Sequence, residues 1–342
     1  MSEDLPGLDL PAFRRWYDAE RPGEIAGELT GRLLAGGKSN LTYELSDGTS
    51  WWIVRRPPLG HVQATAHDMG REYTVMTALA GTAVPVPTTY AHCADAEVLG
   101  APFYVMERIE GTAYRSASQL EPLGSERTAT IAARMVDVLA TLHAVDPAAV
   151  GLAEFGRPQG FLERQVRRWG KQLEGSKTTD RPHADELHRR LTARVPEDDG
   201  RWAGIVHGDY RLDNLLTGPD DQIRAVVDWE MATLGDVRTD LALLLVYDQI
   251  AAIAGGALVA DVSRAPGYPR PEEHLARYAA TSGHDLGDMG FHLGLAFFKL
   301  AVILEGIHFR FLQGATVGEG FDQIGAGFDP LINAGLDALG ED

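Results

Sequence analysis

The stretch His207-Gly208-Asp209-Tyr210-Arg211-Leu212-Asp213-Asn214 places Asn214 five residues after Asp209, and fourteen residues beyond Asn214 comes Asp228-Trp229-Glu230. Between them lie two short apolar runs, Asn214-Leu215-Leu216 and Arg224-Ala225-Val226-Val227, joined by Thr217-Gly218-Pro219-Asp220-Asp221. Apolar runs of this length around a Gly/Pro/Asp turn predict a β-hairpin. The hairpin then carries Asp209 and Asn214 at one end and Asp228 at the other. Turn capping explains any one of these polar residues taken singly. It does not explain all three at this spacing.

Working outward, the helical period dominates from Gly111 onward. In Ala129 to Val145, for example, Ile131, Met135, Val138, Leu139 and Leu142 form one apolar face. Leu241 to Val259 and Phe291 to Ile307 are more apolar still, but Asp248, His292, Lys299 and Glu305 interrupt them, so they read as buried helices rather than membrane spans. The charged stretch Gly175 to Arg201, with Pro182 and Pro196, reads as a mobile helix-loop insertion.

Upstream the pattern changes to short strands and turns. Leu33-Leu34 leads into Gly36-Gly37-Lys38-Ser39-Asn40, then Leu41 to Leu45, a turn at Ser46 to Thr49, and the strand Trp51-Trp52-Ile53-Val54-Arg55. A helix is predicted from about Ala66 to Ala80, and further strands near Thr88 to Ala91 and at Phe103 to Glu107. The expectation is an α+β chain of two lobes. Residues 1–110 form a small antiparallel sheet with one helix, preceded by a helix at about 9–20, and residues 111–342 form a larger, mainly helical lobe.

Phosphoryl transfer needs a carboxylate near the acceptor hydroxyl and oxygen ligands that hold magnesium against a polyphosphate. In the kinase arrangement these come from an Asp, an Asn five residues later and a second Asp beyond a hairpin. Asp209 is therefore the candidate catalytic carboxylate, Asn214 and Asp228 the candidate Mg2+ ligands, and ATP the donor. The glycine segment fails the Gly-Lys-Ser register of a Walker A loop by one residue. It reads instead as a glycine loop, in which Gly36, Gly37, Ser39 and Asn40 bring backbone N–H groups close to phosphates. Strand alternation puts Ile53 and Arg55 on one face. Ile53 is assigned to the adenine side and Arg55 to the phosphates, with Glu72 as its helix partner and a slip to Arg56 left open.

With these motifs in hand, "VHGDYRLDNLL" and "VVDWEMATLGD" resemble the signatures of the aminoglycoside phosphotransferase family, the choline-kinase-like small-molecule kinases, over nearly the whole chain. Protein kinases usually carry Arg in place of Gly208 and Phe-Gly in place of Trp229-Glu230. "GGKSNLTY", "IVRRPP" and "HGDYRLDN" look most like the branch with kinase-like domains fused to acyl-CoA dehydrogenases. The resemblance implies a bilobal protein-kinase-like fold and transfer to a hydroxyl of a small molecule, a hydroxyacyl metabolite before an aminoglycoside. It also implies a hinge whose backbone groups at Glu107 and Ile109 meet adenine over a floor formed by Leu216. His207 would brace the loop, and Asp240 would pin it through backbone N–H groups. Glu230 is left between metal, substrate and solvent. Tyr247, Asp248, Glu305, His308 and Arg310 lie on helices that line either an acceptor pocket or the core. A pseudokinase is one alternative and would be expected to lack one of Asp209, Asn214 and Asp228, all of which are present; an ATP-binding or regulatory module is another, and would show thermal stabilisation by magnesium-ATP without transfer.

Composition bounds the remainder. A net charge of −18 argues against a nucleic-acid partner, which selects for clustered Lys and Arg. The lone Cys93 suits a reducing compartment, and the first twenty residues lack a basic start followed by an apolar run, so the expected location is cytoplasmic. Oligomeric state has no signature here.

Overall fold

The computed structural model describes residues 5–34, 40–59, 68–253, 261–314 and 321–340. The chain divides into two compact units, Met1–Gly111 with Arg224–Ala232, and Thr112–Ile223 with Thr233–Asp342.

In the first unit α1 (Leu10–Glu20) precedes the strands β1 (Thr30–Leu33), β2 (Leu41–Ser46) and β3 (Trp51–Arg56). Then come α2 (Met69–Leu79), β4 (Thr89–Cys93), the single turn α3 (Ala96–Leu99) and β5 (Phe103–Glu107). The strands form one sheet in the order β1-β2-β3-β5-β4, antiparallel at every pairing. Both longer helices start on an aspartate cap: Asp9 accepts from the Ala12 N–H and Asp68 from the Arg71 N–H, each at 3.0 Å.

Alternation gives the sheet two different faces. Tyr43, Leu45, Trp52, Val54, Phe103 and Val105 join Phe13 and Tyr17 of α1 in a hydrophobic core. Phe13 stacks on Tyr17 with ring centroids 5.5 Å apart and meets Phe103 at 6.2 Å. The β3–β5 register pairs Ile53 with Met106 and Arg55 with Tyr104, which places these four on the opposite face. Arg56 points the other way; its guanidinium, 4% exposed, donates to the carbonyls of Gly7 and Leu99. Arg56 thus closes the α1 side of the sheet, on the face opposite Arg55.

The second unit is mainly helical: α4 (Ala117–Leu120), α5 (Ser125–His143), α6 (Phe161–Ser176), α7 (Pro182–Ala193), α8 (Arg238–Ile253), α9 (Pro271–Ser282), α10 (Gly290–Leu312) and α11 (Phe328–Leu339). It also holds an antiparallel pair, β6 (Ala203–Val206) with β9 (Thr233–Asp236), which the sequence pattern had not shown. The hairpin arms are β7 (Leu215–Thr217) and β8 (Ile223–Val226), and the Gly218 N–H closes the turn on the Gln222 carbonyl at 2.8 Å. The boundary between the units falls in the second arm.

The stretch read as a mobile insertion differs from expectation. Within it α7 buries Ala184, Leu187 and Leu191 against α10 and α11, so its apolar face outweighs its charged one. Helix α10 is long and apolar enough to cross a membrane by length and composition, and 72% of the window that meets that test is buried inside the protein.

Phe13→Ala removes a fully buried ring that ties α1 to the sheet. The expected loss is about 3–5 kcal/mol, read as a lower urea midpoint of the first unit's unfolding transition.

Candidate active site

The first unit gathers charge on the face of β3 and β5 turned away from α1. Arg55 Nε lies 3.2 Å from Glu72 Oε2, and Arg55 Nη2 bonds Asp228 Oδ1. Tyr104 OH donates to Glu72 Oε2 at 3.0 Å, and Asn40 Nδ2 donates to Glu72 Oε1 at 3.2 Å and to Glu230 Oε2 at 3.0 Å. One guanidinium thus faces three carboxylates. Burial, joined by the charges of Asp228 and Glu230, pushes Glu72 up to about 7 even though Arg55 opposes the shift. Burial works against the Arg55 charge, but Tyr104, Glu72 and Asp228 outweigh it and hold the guanidinium firmly protonated.

Asp228 reaches this cluster from an unusual backbone. Its φ of 69° lies in the left-handed region, at the start of the turn Trp229–Met231. Trp229, fully buried, locks that turn through Nε1 to the Val226 carbonyl at 3.0 Å.

In the second unit Asp209 is fixed through both backbone and side chain. Asp240 accepts the N–H groups of His207 at 2.6 Å and Gly208 at 2.7 Å. His143 Nε2 stands 3.3 Å from the same carboxylate and Tyr278 OH 2.7 Å from His143 Nδ1. Burial opposes ionisation of Asp240, and the bond from His143, the two histidine rings and the Gly208 N–H outweigh it. Gly208 has φ 85°, a conformation open to glycine, and its carbonyl accepts from Lys299 Nζ at 2.9 Å. The Asp209 N–H donates to His207 Nδ1 at 3.3 Å, so the imidazole sits inside the loop. Asn214 Nδ2 donates to the Asp209 carbonyl at 2.9 Å and to Oδ2 at 3.1 Å, which turns its amide oxygen away from Asp209.

The remaining expected residues fall as follows. Ile53 is buried beside Arg55, and Leu216 alternates with the buried Leu215 and Thr217, so it faces the other side of β7. The Glu107 N–H donates to the Thr88 carbonyl at 2.8 Å, so it is not among the groups that this segment offers a base. Gly36, Gly37 and Ser39 lie outside the described residues. Asn40 serves through its side chain as a brace between Glu72 and Glu230. Glu305 is held by Thr178 and Arg181, and Asp248 by Tyr268. Two cavities, of about 220 and 470 Å³, are lined by residues from Pro158 to Ala203 and, in the smaller, Gly235, Asp236 and Arg238; neither touches the loop around Asp209.

Sequence reasoning did not find Lys299 as a loop residue. Lying 91 positions from Gly208, it carried no spacing signal beyond being a lysine in an apolar helix. Such an isolated cation is the clue to look for.

Asp248 yields a pH test. Burial pushes its carboxyl up to about 8 despite the Tyr268 bond, so between about pH 4 and 8 the folded chain holds a proton that the unfolded chain releases. Wild type should lose thermal stability relative to Asp248→Asn as pH rises through that window. His274, whose Nε2 lies 3.4 Å from Asp248 Oδ2 and which burial pushes down to about 4, acts with the opposite sign below about pH 6.5, so the comparison is cleanest above that pH. Melting curves that stay parallel from pH 5 to 9 would remove the assignment. A second test concerns Asp240. Asp240→Asn offers one acceptor where two N–H groups need one, and should cost about 1–3 kcal/mol in the urea midpoint of the second unit.

Comparison with known proteins gives a consistent picture. Residues 30–280 match the model of the Phosphotransferase enzyme family. Acyl-CoA dehydrogenase family member 11 of Gallus gallus is 33% identical over 322 residues, covering 92% of this chain and 41% of that protein, so the chain spans about two fifths of the relative's length. A solved structure from Ralstonia eutropha, provisionally described as an aminoglycoside phosphotransferase, is 33% identical with a TM-score of 0.83, covering 97% of this chain and 98% of that one. The streptomycin–ATP ternary complex of the enzyme APH(2")-IIa has a TM-score of 0.58 at 14% identity, covers 95% of this chain and 96% of that one, and so shares the fold. The kinase-like fold, the two signature strings and the match from residue 30 to 280 together place this chain in the phosphotransferase enzyme family.

Proposed function

We propose that the chain transfers the γ-phosphoryl group of ATP to a hydroxyl of a small molecule. The observation that carries the proposal is the Asp209 carboxylate, held by Asn214 on one oxygen within a loop that Asp240 clamps through two N–H groups. A carboxylate fixed in this way can accept the hydrogen bond of an acceptor hydroxyl and orient its oxygen for in-line attack on the γ-phosphorus. The oxygen–phosphorus bond forms as the bond to the β,γ-bridging oxygen breaks, and Asp209 receives the hydroxyl proton.

The donor side is read from the first unit. Arg55, braced by Glu72 as in a kinase Lys–Glu pair, is the phosphate-facing cation, and Ile53 packs beside the base. Arg55 is a planar fork rather than a point charge, so it suits two phosphate oxygens at once. Asn214 and Asp228 supply amide and carboxylate oxygens, the hard ligands that suit Mg2+, and the ion would neutralise charge on the phosphates.

For the acceptor, the likeness to curated acyl-CoA dehydrogenase family proteins favours a hydroxylated acyl metabolite, for instance a thioester, over an aminoglycoside. Incubation with ATP, magnesium and pooled hydroxylated metabolites, read by mass spectrometry, should show one acceptor gaining a phosphoryl group. Selective phosphorylation of kanamycin-type sugars would reverse the order of acceptors, and nucleotide binding without transfer would favour a binding module. Asp209→Asn should lower turnover about 10²- to 10⁴-fold. Asp228→Ala should weaken magnesium-dependent ATP binding by calorimetry; unchanged affinity would remove Asp228 from the metal set.

A further inference from the structure

Helix α8 carries more than the Asp240 anchor. Seven residues along, about two turns and so on the same face, stands Tyr247. Its hydroxyl donates to Asp209 Oδ1 at 2.7 Å, while the other carboxylate oxygen, Oδ2, accepts from Asn214 and lies 3.5 Å from Arg211 Nε. The two oxygens are therefore held from different elements, which fixes the plane of the carboxylate as well as its position. The Arg211 guanidinium lies over the Tyr247 ring, 5.0 Å from its centroid, and limits the swing of the phenol. Burial and the Asp209 charge keep the phenol protonated, and so a donor, far above neutral pH.

We propose that Tyr247 is a positioning residue for Asp209: it sets the orientation in which the carboxylate meets the acceptor hydroxyl. The inference rests on the phosphotransferase reading above and deepens it. One rigid helix then sets both the backbone of the loop, through Asp240, and the side chain of its reactive residue, through Tyr247. The phenol oxygen keeps lone pairs while it donates, so a hydroxyl entering beside Asp209 finds a second acceptor next to the carboxylate.

The test compares wild type, Tyr247→Phe and Asp209→Asn. Release of phosphate from magnesium-ATP, with water as acceptor, is the turnover assay, and a crystal structure of Tyr247→Phe is the second readout. Phenylalanine keeps the ring under Arg211 and removes one oxygen. Turnover of Tyr247→Phe should fall about 10-fold, with KM for ATP within twofold of wild type and the melting temperature within a few degrees. In its crystal structure the Asp209 carboxylate should have rotated away from Asn214. Unchanged turnover overturns the proposal, as does a fall that tracks lost stability. If wild type releases phosphate no faster than Asp209→Asn, the phosphotransferase reading fails instead. The crystal structure still decides the orientation claim in that case: an Asp209 carboxylate unmoved in Tyr247→Phe overturns it.

Discussion

A single fully buried carboxylate, Asp240, accepts two consecutive backbone N–H groups, those of His207 and Gly208, and the rest of the site depends on that bond pair. A buried peptide N–H without a partner is costly, and two in a row would let the loop relax toward another conformation. Asp240 removes that option. Lys299 takes the Gly208 carbonyl from the far side, so the peptide units ahead of Asp209 are held at both their donor and acceptor ends. Asp240 in turn sits beside His143, itself bonded to Tyr278 on α9, which links the loop to the helical core.

The first unit solves a related problem with charge. Placing Arg55 on a sheet face at 11% side-chain exposure is tolerable only with partners, and Glu72, Asp228 and Glu230 stand around it. Three carboxylates surround one guanidinium, and burial first, then the charges of Asp228 and Glu230, raise the Glu72 carboxyl against the pull of Arg55. The strained backbone of Asp228, locked by the buried Trp229, keeps one of those carboxylates in place.

The chain belongs to the phosphotransferase enzyme family and shares its fold; its first unit gathers Arg55 with three carboxylates on a strand face, and its second holds the loop around Asp209. Two residues depart from the protein-kinase pattern. Arginine replaces the usual third-strand lysine, and Gly208 follows the loop histidine. The latter departure has a clear cause, since a φ of 85° is readily adopted by glycine and resisted by a side chain.

By itself the sequence determined the hairpin, the spacing of Asp209, Asn214 and Asp228, the Arg55–Glu72 pairing and the succession of strands and helix along the first unit, but not the order β1-β2-β3-β5-β4 in which those strands pair. These follow from local signals: turn residues, period-2 and period-3.6 patterns, and short fixed separations along the chain. The family resemblance also implied Asp240 as the residue that pins the loop, across 33 positions of chain. The sequence did not show the β6–β9 pair, because strands of four residues separated by 26 positions leave no local trace. Nor did it assign Lys299 or Tyr247 to the loop, or Asn40 to a brace between Glu72 and Glu230. Those contacts join residues 32 to 190 positions apart, and only the packing of helix on loop and strand on turn brings them within hydrogen-bonding reach.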